Sequence, residues 1–406
     1  MLVITSFFVA SLLVCASPGV ALVPGAAFSP PGDWQLRLAE SRKEFEVFQL
    51  SFSSLIQTPY PRNNTVRADY YVLRSPGPRP AVVVLHAYKE EHSNLERKLC
   101  RMLVHRGINC LLLMLPYHFS RTPPGVRSGE LFVTGDLEHT VESLRQAAAD
   151  AVLAVSWLRQ RREVDAERIG LVGVSLGAIV CHLVMGIDRR ISAGVALLGG
   201  GDLGEILWDG IATIGVKQKL LALGISKEQA SRKLAVVDPL TYAEENRPRR
   251  VLMINAARDT VVPTSCALKL WNALGRPPIV WLNTNHFGFA FAADRVFRVC
   301  AEYLASCFEG GLRSAKNPEV NVLPVKLGAV FGLGRTMNYA LAAELAPLMR
   351  RSLNRSWVYA GAMLTGTGAY ATLGITPSGD FDFGAALRLS GGPRKLTGYA
   401  MFTFVF

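Results

Sequence analysis

From Phe45 to Phe308 the chain alternates short, apolar runs with longer segments in which apolar residues recur at helical spacing. The runs "PAVVVLHA" and "RIGLVGV" (residues 80–87 and 168–174) are apolar at nearly every position, which is typical of strands buried on both faces of a parallel sheet. Parallel neighbours need a crossover connection, and the intervening helical segments supply it. The pattern therefore predicts an α/β domain, with a mainly parallel sheet and helices on both of its faces.

Weaker patterns complete the predicted domain. Residues 45–55 and 66–74 mix polar and apolar positions in rough alternation, which favours an antiparallel hairpin ahead of the parallel strands. An irregular insertion over about residues 202–250, in which Ser226 and Gln229 have the spacing of a capping box, is predicted to form a small cap over the carboxyl edge of the sheet. The other predicted strands are 108–117, 191–200, 251–257 and 278–283, and the predicted helices are 95–105, 136–162, 176–187 and one ending near 308.

A Gly-x-Ser-x-Gly pattern over residues 173–177 lies where the strand 168–174 meets the apolar helix that follows it. In a chain with 36 glycines among 406 residues, the five letters alone are a weak signal. Their position strengthens it, because small residues on both sides of Ser175 allow a sharp turn from strand to helix, and a helix N-terminus stabilises developing negative charge. Ser175 is therefore a candidate nucleophile.

A serine hydroxyl attacks efficiently only when a base takes its proton and a third group orients that base. Asp259 and His286 each follow a predicted strand, and the carboxyl ends of parallel strands meet at one edge of the sheet. We therefore predict a catalytic triad of Ser175, Asp259 and His286. Asp202, which follows the strand after the nucleophile, is the alternative acid. A turn aspartate and a surface or core histidine are the ordinary interpretations of Asp259 and His286.

With these residues in this order, residues 45–308 resemble the α/β-hydrolase superfamily and, within it, the dienelactone hydrolase and acetyl-xylan-esterase-like branch. The resemblance implies a serine hydrolase that cleaves a small-molecule carboxylic ester through an acyl-enzyme. It also implies an oxyanion hole made of two backbone N–H groups, those of Leu176 and Tyr88. Tyr88 belongs to the sequence His86-Ala87-Tyr88, in which the superfamily often has glycine in place of Ala87. His86 is then expected to be a structural residue of this loop.

Two loops depart from the superfamily pattern. Residues 88–94, "YKEEHSN", are unusually charged for an oxyanion loop, so they form either a polar substrate pocket or a solvated loop. Residues 117–120, "YHFS", replace a turn that is often rich in glycine. We expect them to form a bulky, partly apolar wall near the mouth of the site.

Other functions stay open at this level. Thioester or peptide cleavage uses the same parts, and an outer-membrane or surface binding protein with a non-catalytic hydrolase-like scaffold is the alternative of a different class. None of the seven cysteines forms a C-x-x-C pair or lies near a histidine at zinc-ligand spacing, and no dinucleotide or phosphate-binding pattern is present. We therefore predict neither a metal nor another cofactor, and disulfides are left open.

Residues 1–27 resemble a secretory signal. They carry no charged side chain, and an apolar stretch over residues 2–14 precedes small residues, so that cleavage is expected after Ala16 or Ala21. The lack of Lys or Arg at the start departs from the usual pattern, and a membrane anchor is the alternative. We predict export to the periplasm, the outer membrane or the medium, and assign residues 28–311 to the hydrolase domain.

Residues 312–406 change to strand-like segments joined by Gly, Pro, Asn and Asp turns, which predicts a separate antiparallel β module. The last strand, "GYAMFTFVF", resembles the final strand of bacterial outer-membrane β-barrels. Membrane association through this module, with either oligomerisation or a truncated barrel, is one interpretation, and a small accessory domain is the other. The module carries about half of the net charge of +12, but no basic cluster interleaved with aromatics predicts nucleic-acid binding.

Overall fold

The computed structural model describes residues 22–247, 249–310, 325–333, 338–351, 357–378, 381–391 and 396–405. Its larger unit contains a nine-stranded sheet with the strand order β1-β2-β3-β5-β4-β6-β7-β8-β9. The strands are Gln35–Ser41 (β1), Phe45–Ser53 (β2), Thr65–Leu73 (β3), Arg79–Leu85 (β4), Asn109–Leu113 (β5), Val164–Val174 (β6), Ala193–Leu197 (β7), Arg250–Ala256 (β8) and Ile279–Leu282 (β9). The first three strands are antiparallel to their neighbours, and the others are parallel to one another.

Helices cover both faces of this sheet, which confirms the predicted fold class. They are Asn94–Val104 (α1), Leu137–Leu158 (α2), Leu176–Ile187 (α3), Leu203–Asp209 (α4), Ile214–Ala222 (α5), Lys227–Leu234 (α6), Ala243–Asn246 (α7), Thr264–Ala273 (α8) and Ala293–Phe308 (α9). One apolar core joins the sheet to α2 and α3, and a second joins it to α1 and α9 on the opposite face. The apolar runs of the sequence form the central strands, where nearly every side chain of β4 and every side chain of β7 is buried.

Local capping explains where two of the helices begin. The Asp136 carboxylate accepts hydrogen bonds from the N–H groups of Glu138 and His139, at 3.0 and 3.2 Å, and so satisfies the exposed amide end of α2. The predicted capping box between Ser226 and Gln229 is present at the start of α6. Helices α4 to α7 form the insertion between β7 and β8, and α6 packs against both α4 and α2.

Two parts of the larger unit were not predicted. Strand β1 has a mostly exposed sequence without an apolar run, so no pattern distinguished it from a loop. Residues 22–28 pack into the core next to α2: Leu22, Val23 and Ala27 are buried, and the Ala27 carbonyl accepts a hydrogen bond from Ser156 Oγ at 2.8 Å. The segment expected to act as a signal or anchor otherwise lies outside the described residues.

The described residues of the C-terminal module form six strands, and their antiparallel pairing confirms the predicted class of this module. They are Val325–Leu333 (β10), Asn338–Arg351 (β11), Trp357–Thr365 (β12), Gly368–Ser378 (β13), Phe381–Arg388 (β14) and Leu396–Val405 (β15). Each strand pairs with the next, and β10 also pairs with β15, so that the sheet closes. Closure therefore occurs within one chain, as a barrel of fewer than eight strands, so an oligomer is not needed to close the sheet.

Within the described ranges, no helix has both the length and the apolar character that crossing a bilayer requires. Six of the seven cysteines are described, and all six are free and buried. Cys15 lies outside the described residues, so the structure adds nothing on that thiol.

Candidate active site

Ser175 occupies a strained turn between β6 and α3. Its backbone is left-handed, with φ 53° and ψ −112°, a conformation that costs a non-glycine residue free energy and is typical of functional sites. The two flanking glycines are needed for steric reasons: a Cβ on Gly173 would lie 2.0 Å from the Gly177 carbonyl oxygen, and one on Gly177 would lie 2.2 Å from the Leu85 oxygen. Helix α3 therefore begins in direct contact with the end of β4.

The structure brings Ser175, His286 and Asp259 together. His286 Nε2 lies 2.9 Å from Ser175 Oγ, and His286 Nδ1 lies 2.7 Å from Asp259 Oδ2. The other carboxylate oxygen of Asp259 accepts the N–H groups of Val261 and Val262 at 2.9 and 2.8 Å, which fixes the orientation of the carboxylate. With Nδ1–H donating to Asp259, Nε2 of His286 is free to accept the serine proton.

Neighbouring parallel strands explain this convergence. Strands β7, β8 and β9 lie side by side, so the segments after β8 and β9 emerge at the same edge as the turn after β6. The alternative acid, Asp202, lies at the start of α4, where its carboxylate caps the helix through the Glu205 N–H and pairs with Lys269. Asp259, and not Asp202, is the carboxylate that contacts His286.

The two predicted oxyanion residues lie on neighbouring elements. Leu176 is the first residue of α3, and the N–H groups in the first turn of a helix have no partner within the helix. Tyr88 follows β4, the strand next to β6 in the sheet. The contact of Gly177 with the Leu85 and His86 oxygens places these two segments next to each other.

The expected wall over residues 117–120 is wrong for its first two members. Tyr117 is 2% exposed and His118 is fully buried, so neither forms a surface at the mouth of the site. The ring of His118 lies 4.8 Å from the His86 ring and 6.1 Å from the Tyr88 ring, which places it next to the loop that carries Tyr88. The sequence pattern was misleading because a histidine between aromatics has no periodicity that distinguishes an inward from an outward side chain.

The charged loop 88–94 is divided between solvent and interior. Lys89, Glu91 and His92 are exposed, whereas the Glu90 carboxyl turns inward toward Glu96 of α1, which is fully buried. Burial, followed by the adjacent Glu96 carboxyl, raises the pKa of Glu90 well above its ordinary value. Burial also raises the pKa of Glu96, although its hydrogen bond with Glu90 opposes that shift. This carboxyl pair was missed, since Glu96 lies in an ordinary charged helical segment of the sequence.

In the part of the chain that the structure describes, no group of three or more His, Cys, Asp or Glu side chains has the arrangement to hold a metal ion.

A family model matches the part of the chain that contains these three residues. A model of the prolyl oligopeptidase family matches residues 144–286, about a third of the chain, a range that contains Ser175, Asp259 and His286. Uncharacterised proteins from two strains of Mycobacterium tuberculosis are 28% identical over 239 residues, which is 57% of this chain and 54% of theirs. The chain thus spans about half the length of the curated relatives it matches.

Two solved structures are similar over most of the larger unit. The acetyl xylan esterase of a Paenibacillus species is 18% identical, with a TM-score of 0.56. The match covers 70% of this chain and 92% of the esterase chain. Acetyl xylan esterase 1 of a Thermoanaerobacterium species is 18% identical with a TM-score of 0.54, and covers 70% and 91%. The larger unit therefore has the α/β-hydrolase fold, as the sequence resemblance implied.

The Glu90–Glu96 pair predicts a pH-dependent stability. The pKa of Glu90 is higher in the folded than in the unfolded chain. Its contribution to the free energy of unfolding is therefore complete below the unfolded pKa and is lost as the pH rises through the folded pKa. Glu90→Gln keeps a neutral side chain at every pH. We expect the variant to be more stable than the parent by roughly 1–3 kcal/mol at pH 8 and nearly equal at pH 4.5, measured by urea unfolding.

The matched control is Glu91→Gln, which changes the exposed neighbour and leaves the pair intact. Equal pH dependence of unfolding in the two variants would contradict a buried, proton-sharing pair at Glu90.

Proposed function

We propose that the protein is a serine esterase that cleaves carboxylic esters of small molecules through an acyl-enzyme. The observation that carries the proposal is the hydrogen-bonded chain from Ser175 through His286 to Asp259, which is buried at the carboxyl edge of an α/β-hydrolase sheet. The two similar solved structures are both named acetyl xylan esterases, which supports an ester as the substrate.

In the proposed reaction, Ser175 Oγ attacks the ester carbonyl carbon while His286 Nε2 takes the hydroxyl proton. Asp259 stabilises the resulting imidazolium through Nδ1–H. The tetrahedral intermediate collapses when His286 gives the proton to the departing alcohol oxygen, which leaves the acyl group on Ser175. A water molecule deprotonated by His286 then attacks the acyl-enzyme, and the carboxylic acid is released as Ser175 regains its proton.

The oxyanion of each tetrahedral intermediate requires donors that are already in place before the reaction. The backbone N–H groups of Leu176 and Tyr88 are proposed for this role. Leu176 follows the nucleophile directly, and Tyr88 lies on the loop that α3 contacts through Gly177. Removal of one such donor typically costs roughly 10²- to 10³-fold in kcat in serine hydrolases.

A small apolar cavity next to Leu176 supports a short aliphatic acyl group. Its volume is about 70 Å³, far below the roughly 300 Å³ at which pockets for drug-sized ligands begin. Its walls come from α3, α2, the insertion and the segment before α2: Phe132, Val133, Thr140, Leu144, Leu176, Ile179, Leu203, Ile206, Leu207, Thr213 and Leu234. We propose that the acyl chain enters this cavity while the alcohol part faces the outside of the site.

Replacement of the nucleophile tests the proposed chemistry. We expect Ser175→Ala to lower kcat for p-nitrophenyl acetate by roughly 10⁴- to 10⁶-fold, because the acyl-enzyme cannot form. Asp259→Asn is expected to cost roughly 10⁴-fold by disturbing the orientation and tautomer of His286, whereas Asp202→Asn, its matched control, stays near the parent rate. Retained hydrolysis in Ser175→Ala would refute the proposal.

Substrate panels separate the remaining alternatives. The prolyl oligopeptidase family match keeps peptide cleavage as the second candidate, so a peptide p-nitroanilide and a thioester are assayed beside the ester. A higher kcat/KM for one of these would move the assignment to that bond. If a fluorophosphonate probe leaves Ser175 unlabelled and every substrate is unreacted, the non-catalytic scaffold remains.

The cavity predicts the acyl preference. Leu234→Ala enlarges the cavity, so the ratio of kcat/KM for the hexanoate over the acetate p-nitrophenyl ester should rise by about fourfold for each further acyl methylene that the cavity buries, since a buried methylene contributes roughly 0.8 kcal/mol. Leu220→Ala is the matched control, because Leu220 is a buried leucine of the same insertion that does not line the cavity. Equal ratios in the two variants would exclude this cavity as the acyl site.

We further propose that the protein is exported and associates with a membrane through residues 312–406. The described side chains of the module support this: those that are exposed on β12, β13, β14 and β15 include Leu364, Leu373, Ile375, Phe383, Leu387 and Leu396. Buried side chains alternate with them and include Met363, Thr372, Tyr399 and Met401. Apolar exterior positions on successive strands match a lipid-facing barrel surface and not a water-facing one.

Binding of the full chain to vesicles tests this surface. The parent should float with phosphatidylcholine–phosphatidylglycerol vesicles in a density gradient, and Leu373→Arg with Leu387→Arg should reduce the bound fraction at least fivefold, because an arginine facing lipid costs roughly 2–4 kcal/mol. Leu223→Arg, at an exposed leucine of the insertion, is the control and should still float. Equal flotation of both variants would overturn the proposal. So would a parent protein that forms a stable oligomer and does not bind vesicles.

A further inference from the structure

We propose that His118 is a positioning residue for the oxyanion hole: its imidazole holds the backbone of the loop that presents the Tyr88 N–H group. The inference rests on the proposed esterase function. It concerns the segment 117–129, which lies between β5 and α2 and contributes no member of the Ser-His-Asp chain.

Two imidazoles hold the peptide groups on either side of Tyr88. His118 Nε2 accepts the Lys89 N–H at 3.2 Å, and His118 Nδ1 donates to the Pro116 carbonyl at 2.7 Å. His86 Nδ1 donates to the Ala87 carbonyl at 2.8 Å, and its Nε2 accepts the Leu115 N–H at 2.9 Å. The Ala87 carbonyl and the Tyr88 N–H belong to one planar trans peptide, so holding the first toward His86 directs the second the opposite way.

The contact between His118 and Lys89 depends on a glycine. A Cβ on Gly129 would lie 2.4 Å from His118 Nε2 and 2.9 Å from the Lys89 nitrogen, so any larger residue would displace one of the two partners. Gly129 also has a φ of 75°, which glycine adopts without strain. The bare backbone at this position leaves room for the imidazole to reach the loop.

The backbone around this contact is strained on both sides. Lys89, Tyr117 and Phe119 have φ values of 56°, 63° and 50°, in the left-handed region that non-glycine residues rarely adopt. Such conformations persist only where surrounding contacts hold them, and they concentrate at functional sites. The hydrogen bond from Lys89 to His118 connects two of these strained stretches directly.

The 117–129 segment is itself anchored in the core. Arg121 is fully buried, and its guanidinium pairs with Asp150 of α2 at 2.8 Å and donates to the Asn63 carbonyl. At the other end of the segment, Ser128 Oγ accepts the Phe119 N–H at 3.1 Å and donates to the Glu90 carbonyl. The loop is therefore held at Lys89 and at Glu90 by a segment that is fixed to α2.

His118 must be neutral to accept a hydrogen bond at Nε2, and its surroundings ensure this. Burial lowers the pKa of His118 to about 4, and the nearby Arg121 guanidinium contributes to this shift. The hydrogen bond to the Pro116 carbonyl opposes it. The imidazole therefore stays neutral, and an acceptor for Lys89, at neutral pH.

Two conservative variants separate the functions of the two ring nitrogens. The amide of His118→Asn can replace Nδ1 as the donor to Pro116 but offers nothing at the Nε2 position, whereas the longer side chain of His118→Gln carries an acceptor oxygen to Lys89. We expect His118→Asn and His118→Ala to lower kcat for p-nitrophenyl acetate by roughly 10- to 100-fold with KM nearly unchanged, less than the loss of a whole donor. His118→Gln should recover most of the kcat.

Rates are expressed per active site titrated with a fluorophosphonate, so that partly unfolded material does not count. The matched control is His139→Asn, a half-buried histidine next to Tyr117 whose Nε2 contacts the Leu131 carbonyl, and it should keep the parent kcat. Affinity for a trifluoromethyl ketone, which forms a tetrahedral oxyanion adduct, should fall in parallel with kcat in His118→Asn and His118→Ala.

Equal kcat per titrated site in His118→Asn, His118→Gln and the parent would overturn the proposal. If the His118 variants do not fold, Gly129→Ala disturbs the same contact with the imidazole retained, and an unchanged kcat there is equally contrary. A failure of the esterase proposal is recognised separately, by an inactive parent protein or an active Ser175→Ala.

Discussion

The close approach of α3 to the end of β4 is the constraint on which the site depends. Gly177 lies against the backbone oxygens of Leu85 and His86, so that the helix beginning at Leu176 is placed directly beside the loop that carries Tyr88. The positive φ of Ser175 allows the chain to turn from β6 into this position. The steric requirement for glycine and the chemical requirement for a serine hydroxyl beside a helix N-terminus therefore coincide in five residues.

Three histidines with the same hydrogen-bonding arrangement surround this turn. In His86, His118 and His286, Nδ1 contacts a carbonyl or carboxylate oxygen, and Nε2 faces an N–H or O–H donor. Burial lowers the pKa of His86 and of His118, which keeps these two rings neutral and able to accept. With this tautomer, His86 and His118 hold the loop that carries Tyr88, and His286 faces the serine hydroxyl. The surroundings of each ring determine its role.

Elements with a strong local sequence pattern were predictable, and elements that depend on distant contacts were not. The apolar strands β4, β6 and β7 and the capped helix α6 follow from local patterns, because burial on both faces and capping leave a mark on consecutive residues. Strand β1 left no such mark. The contact between Glu90 and Glu96 could not be predicted either, because charged residues on a loop and on a helix are ordinarily exposed to solvent. Only the packing of the fold buries Glu96.

The sequence by itself determined the α/β class, the separate antiparallel module and the order in which Ser175, Asp259 and His286 follow their strands, because strand burial and chain order are properties of local composition. Only the tertiary structure decided that Asp259 rather than Asp202 reaches His286, that His118 contacts the loop that carries Tyr88, and that β10 pairs with β15 to close the module. These outcomes depend on distances between segments far apart in the chain, which packing sets and local pattern does not encode.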